Sequence, residues 1–217
     1  MLKYALFDLD DTLYASQCGL WAAIGERIDL FMVERLGLAP DTVVAQRRHY
    51  LETFGTTLNG LRREHAVDPH AFLEFVHDVP LPDYLSANAA LDEMLTRLPL
   101  SKAIFTNADA AHARRVLACL GIARHFTQII DIHRLEFINK PDTRAYERAL
   151  ALIGARAEEC VFIDDAPRNL RPAQALGLLT VLVRAGDQPL PDGVDYQIES
   201  ILQLEGVLAA AGAQRQP

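Results

Sequence analysis

Cysteine is scarce in this sequence: Cys18, Cys119 and Cys160 are odd in number, widely separated, and form no C-x-x-C pair. That excludes a disulfide-stapled small domain and a thiolate zinc site, and fits reduced thiols in the cytoplasm. Positive charge is also in deficit, with 21 Lys plus Arg against 29 Asp plus Glu and a formal net charge of -8. The resulting field repels polyanions, so no nucleic-acid partner is expected, although a local cation can still hold a phosphate. No apolar run approaches the roughly 20 residues of a membrane span, and the first apolar stretch meets Asp8 before reaching signal-peptide length, so no membrane partner is expected. The seven histidines are scattered, show no H-E-x-x-H spacing, and read as surface or cap positions. Repeats and low-complexity tracts are absent, apart from an Ala/Gly/Gln tail from Ala209 that is expected to fray.

What is present is apolar substance: half of the 217 residues are hydrophobic, enough for a sizeable core. Short β-rich runs occur at Ala5–Leu9, Ala103–Phe105, Gln128–Ile132, Val161–Ile163 and Leu178–Val183, as in strands covered on both faces. Helical patterns alternate with them: Leu91, Leu95 and Leu98; Val116, Leu117 and Leu120 before Gly121; Tyr146, Leu150 and Ile153 before Gly154. The alternation predicts an α/β fold, a Rossmann-like parallel sheet with helices on both faces. Residues 16–85 break it. Leu20, Ile24, Ile28 and Phe31 share one helical face, Val44, Leu51 and Phe54 another, and Phe72, Phe75 and Val76 suggest a third helix. This block is read as an inserted helical cap, with Pro80 and Pro82 marking the return to a core made of residues 1–15 and 86–217.

Chemistry-bearing residues gather at the ends of the expected strands. Asp8 and Asp10 stand at i and i+2 after the first apolar run, and in an extended backbone both side chains face one centre. Thr106 and Asn107 follow the second run just before a helix, a natural anion site. Lys140 precedes Pro141 and is expected to open the helix containing Tyr146, while Asp164 and Asp165 are adjacent acids that repel unless a cation relieves them. Taken singly, Asn107, Asp164 and Asp165 are also ordinary helix caps and Lys140 an ordinary surface charge.

The ordered set D-x-D-x-T from Asp8, Thr106-Asn107, Lys140 and Asp164-Asp165 resembles the haloacid dehalogenase superfamily over nearly the whole chain. The resemblance implies a phosphoryl-transfer enzyme of the phosphatase type working through an aspartyl-phosphate. By the same resemblance Asp8 is the nucleophile, Asp10 the general acid and base, and Thr106 and Lys140 the phosphate stabilisers. Mg2+ would be held by Asp8, the Asp10 backbone carbonyl and Asp165, with Asp164 beside it. Asn107 would orient nucleophile and phosphate. Asn169 stands where many relatives carry an acid, so the group that holds the metal's waters stays open.

Within the superfamily the likeness leans to pyrimidine 5′-nucleotidases, through Asp10–Tyr14, Gly55–Leu61, Phe75–Asp78, Ile104–Ala108 and Ile163–Asn169. The substrate so implied is a small phosphorylated metabolite of the mononucleotide class, handled by a monomer or homodimer; sugar phosphates are the rival class. Thr56 and Thr57 are candidate substrate contacts, and equally a helix cap after a helix-ending Gly55. Trp21, Tyr50, Phe54 and Asn59 offer surface for a base and its edge, or alternatively the cap's own core.

Overall fold

The computed structural model describes residues 1–186 and 188–214. Six strands form one parallel sheet: β1 (Tyr4–Phe7), β2 (Ser101–Phe105), β3 (Phe126–Ile130), β4 (Cys160–Asp164), β5 (Leu179–Val183) and β6 (Tyr196–Ile198), in the order β3-β2-β1-β4-β5-β6. The order reverses at β1, which pairs with β2 on one side and β4 on the other. Ligands of open α/β sheets collect beyond the carboxyl ends of the strands at such a reversal.

The period-2 alternation is clean. Ala5, Phe7, Ile104, Val161 and Ile163 enter a cluster on one face, with the side chains of α5 (Ala89–Arg97), α6 (Ala110–Leu120) and α9 (Leu204–Gln214). Leu6, Ala103, Phe105, Cys160 and Phe162 enter the other, against α7 (Thr143–Ile153) and α8 (Pro167–Ala175). A sheet buried on both faces explains why its strands read as continuous apolar runs.

Between β1 and α5 the described residues form four α-helices: α1 (Leu20–Leu36), α2 (Val43–Phe54), α3 (Thr57–His65) and α4 (Pro69–His77). Their own cluster contains Phe31, Met32, Tyr50, Leu61, Phe72 and Val76. Leu20, Ile24, Val79, Leu81 and Leu85, at either end of the insertion, are buried instead in the sheet's first cluster and so seat the helices on the strand ends. Among the described residues no helix is long and apolar enough to cross a membrane.

Two glycines shape this layer. Gly55 ends α2 with φ +79°, a conformation that costs a Cβ-bearing residue energy, and Thr56 then caps α3 by accepting from the Asn59 N–H. Gly60 lets α3 close on the ring of Tyr50, which a Cβ would strike. Gly60→Ala is therefore expected to lower stability by about 1–3 kcal/mol through overpacking. Gly206→Ala, in α9 with open space around it, should be neutral or slightly stabilising. Denaturant midpoints of the two variants check this pair.

Several sequence expectations change. β6 was not expected; three residues at a sheet edge carry too little periodicity to register. The tail does not fray from Ala209: α9 continues to Gln214, since alanine favours helix and Ala211 is buried against the core. Residues 215–217 lie outside the described residues. Lys140 does not open α7, which begins at Thr143 behind the cap residue Asp142. Nor is the backbone extended through Asp10: β1 ends at Phe7, and a turn with Asp11 at φ +57° starts at Asp10.

Candidate active site

The sheet register assembles the centre of the site. Phe7 lies beside Ile163, so the next residues on each strand, Asp8 and Asp164, are neighbours. Lys140, in the loop between β3 and α7, reaches between them, and its Nζ donates to Asp8 Oδ1 and to Asp164 Oδ2, each at 2.8 Å. Its ammonium is fully buried and flanked by the rings of Phe105 and Phe162, each centroid 5.1 Å away. The surface-charge alternative for Lys140 is thereby removed.

Each neighbour has a definite task. Asn107 donates to the Lys140 carbonyl at 3.1 Å and accepts from the Lys140 N–H at 2.9 Å. The amide expected to meet the substrate is thus engaged with the lysine's backbone and fixes where the ammonium goes. Thr106 is buried and accepts from the Ala108 N–H, with its hydroxyl proton free to turn toward the cavity. Asp164 also accepts from the Ala166 N–H and from Asn169 Nδ2. An amide rather than an acid at position 169 fits that contact, because it can donate to a carboxylate that a second acid would repel.

Three carboxylates, Asp8, Asp164 and Asp165, offer oxygens within 4.8 Å of one another. One ammonium stands against them, which leaves two negative charges in a largely buried place. Burial, assisted by Asp164 and Asp165 and opposed by Lys140, pushes the Asp8 carboxyl well above its usual range. Burial and the Asp164 and Asp11 charges push Asp165 up to about 7. Burial and the Asp10 charge raise Asp11 to about 6, and its Oδ1 is buried without a partner. A hard, oxygen-seeking divalent cation matches this donor set in charge and in kind.

Asp10 is held below its ordinary pKa: burial pushes it up, but the His112 charge and hydrogen bonds from His112 and Tyr14 outweigh this. His112 Nε2 lies 2.9 Å and the Tyr14 hydroxyl 2.6 Å from Asp10 Oδ1. Sequence reasoning missed this group entirely. His77 and His112 are buried and stacked, with ring centroids 4.1 Å apart, and His77 Nδ1 lies 2.9 Å from Asp109 Oδ2. The surface or cap reading fails for these two because their partners lie far off in the chain; the buried N-terminal turn of α6, capped by Asp109, was the one local signal.

A cavity of about 250 Å³ opens over these groups, lined by Asp8, Asp10, Thr106, Asn107, Lys140 and Asp165 from below. Trp21, Leu51, Thr56, Thr57, Phe72 and Val76 line it from the helical layer, and Arg168 stands at its side. Trp21 is 50% exposed and therefore free to meet a ligand. Tyr50 is cap core. Asn59 does not line the cavity; it donates to the Phe137 carbonyl at 3.0 Å and to Asn139 Oδ1, joining α3 to the loop that carries Lys140.

The chain is 30% identical over 215 residues to Phosphate metabolism protein 8 of Saccharomyces cerevisiae, covering 92% of this chain and 65% of that one, so it spans less than two thirds of the relative's length. It is 25% identical over 204 residues to a glyceraldehyde 3-phosphate phosphatase of Methanopyrus kandleri, covering 86% of this chain and 85% of the relative. Its fold matches the crystal structure of a HAD phosphatase from Thermococcus onnurineus with a TM-score of 0.62 and 20% identity, over 95% of this chain and 98% of the other. The sequence profile of the haloacid dehalogenase-like hydrolases matches residues 2–177, most of the sheet and the whole of the site, and the chain belongs to that family.

Proposed function

We propose that this protein is a Mg2+-dependent phosphomonoester hydrolase acting through a phosphorylated Asp8. The observation that carries the reading is the bridge from Lys140 to both Asp8 and Asp164 beside Asp165, a group with two uncompensated negative charges at the floor of a cavity. Relatives named for phosphate chemistry support the same reading.

Bound Mg2+ would supply charge neutralisation for a phosphate dianion at Asp8, Asp165 and the Asp10 carbonyl, with Asn169 Oδ1, which lacks a partner, suited to hold an outer water. Lys140 and Thr106 bind the equatorial phosphate oxygens, where charge spreads in a loose transition state. The free oxygen of Asp8 attacks phosphorus as the bond to the leaving oxygen breaks, and Asp10 gives that oxygen a proton. The arriving dianion raises the Asp10 pKa toward this task against the opposing His112 and Tyr14 contacts. Asp10 then takes a proton from water as that water attacks phosphorus, phosphate departs, and the Asp8 carboxylate is restored.

Residues 16–85 serve as the cap that selects the leaving group. The preferred substrates are pyrimidine nucleoside 5′-monophosphates, whose flat base suits the Trp21 indole and the apolar wall of Leu51, Phe72 and Val76, with Thr57 at its edge. A second reading, a sugar phosphate or comparable small ester, is favoured by the cavity's modest 250 Å³. Phosphate release from UMP, CMP, AMP, glycerol phosphate and hexose phosphates decides between them. UMP and CMP are expected to lead, and Trp21→Ala to lower kcat/KM for UMP about tenfold, in line with the stacking energy of a base on an aromatic ring, with glycerol phosphate little affected. A hexose phosphate turned over as efficiently as UMP replaces the nucleotide reading with the second.

A further inference from the structure

We propose that His112, together with Tyr14, is a positioning residue that fixes which oxygen of Asp10 carries the transferable proton. The inference rests on the hydrolase reading above and adds a residue to it. Both donors converge on one atom, Asp10 Oδ1, at 2.9 Å and 2.6 Å, while no hydrogen bond reaches Oδ2 among the described residues. An oxygen that already accepts two hydrogen bonds is a poor place for a proton. A protonated Asp10 therefore carries its hydrogen on Oδ2, the oxygen left to face the cavity that Asp10 lines.

The histidine is set to donate. Its Nδ1 is buried with no partner, so the neutral ring carries its hydrogen on Nε2, and the protonated ring donates from Nε2 as well. The ring cannot swing away. It is fully buried, its backbone N–H is tied to the capping Asp109, and its face is covered by His77, which is itself held by the other Asp109 oxygen. Arg115 anchors the His77 carbonyl at 2.8 Å and the Val79 carbonyl at 2.7 Å. His77 ends α4 and His112 belongs to α6, so the support of the acid spans the inserted helices and the sheet domain.

A group that acts by aiming a general acid leaves a mark that a structural residue does not. Loss of aim harms expulsion of a poor leaving group, an alkoxide, far more than expulsion of p-nitrophenolate, which departs without a proton. The test compares kcat/KM, which reports formation of the phosphoenzyme, for an alkyl phosphate and p-nitrophenyl phosphate in His112→Ala, His112→Gln and Tyr14→Phe. His112→Ala should lose about 10- to 100-fold on the alkyl ester with KM changed no more than about twofold, and about threefold at most on the aryl ester. His112→Gln, which restores a donor, should recover part of the alkyl activity. Tyr14→Phe, which removes a single hydroxyl and keeps the ring in the core, should show a smaller loss with the same selectivity and answers for the clamp should His112→Ala fail to fold. Equal losses on both esters, or none on either, overturn the positioning role. Asp8→Asn in the same panel separates the two readings: if it retains activity, the hydrolase reading falls and the clamp with it, whereas an inactive Asp8→Asn beside equal losses in the His112 variants sinks the clamp alone.

Discussion

Asp8→Asn is expected to abolish phosphate release, by at least about 10⁴-fold, in a protein that folds as well as the wild type. The amide nearly matches the carboxylate in shape but cannot form an acyl phosphate, and no other carboxylate sits where it could replace the attack. Stability should hold or rise, because the substitution relieves a crowded site. Asp8 is buried with its pKa pushed well up, chiefly by desolvation, so its ionised form is a cost to the fold. Removing that charge leaves Lys140 paired with Asp164 alone, a one-to-one ion pair that also receives the Asn169 amide. Circular dichroism and a thermal melt beside the activity assay check both halves. Turnover within tenfold of wild type would remove Asp8 from its role.

Excess chelator is expected to remove all turnover, Mg2+ to restore it, and Ca2+, which seeks more ligands at longer range, to restore little. The same metal should stabilise the fold, with a Tm rise of about 5–10 °C at a hundred-fold excess over Kd. The size of that rise should depend on pH in a direction set by Asp165. Its folded pKa is raised to about 7, well above the ordinary carboxylate range. A raised carboxylate contributes stability that is fully present below its unfolded pKa and is lost as pH climbs through the folded value. Ionisation of Asp165, and of Asp11 near 6, therefore burdens the metal-free protein progressively between about pH 4 and pH 7. Metal binding, which needs the ionised forms, cancels the burden. The Mg2+-induced increase in Tm should thus grow across that window and level off above it. His77, buried with its pKa lowered, disfavours low pH, but it does so with and without metal and drops out of the difference. A Tm increase that shrinks as pH rises from 5 to 7 would contradict this account.

The carboxylates and the Thr-Asn pair were legible because each stands at a strand end, and strand ends in a parallel sheet converge; Lys140 reaches the same place from the loop between β3 and α7. Asp8 and Asp164 needed only the pairing of β1 with β4 to meet, and the apolar runs beside them already implied strands. The histidines were not legible. His112 meets an acid 102 residues earlier in the chain, and the contact depends on how the first turn of α6 faces the turn after β1, which no local spacing records. The same blindness hid Asn59, whose partners lie 78 and 80 residues away across the seam between α3 and the Lys140 loop. The helix stop at Gly55 and the cap at Thr56, by contrast, were among the two readings the sequence offered there, because both roles are settled within four residues of chain. What the sequence carries well is local conformation and the direction of strands; which side chains touch across helices requires the assembled packing.

The position of β1 also bears on how the protein is made. It comes first in chain order among the described strands, yet it lies inside the sheet, and its second neighbour, β4, follows some 150 residues later. Until then the nascent chain holds β1 with one edge unpaired, and Lys140, 132 residues after Asp8, waits for its second acid partner, which comes 24 residues later still. Synthesis in chain order therefore delivers Asp8 first, Lys140 next and Asp164 last. A chain released or cleaved before β4 contains Asp8 and Lys140 but lacks Asp164 and Asp165, so the site proposed above is incomplete, and it carries an open sheet edge for quality control to recognise.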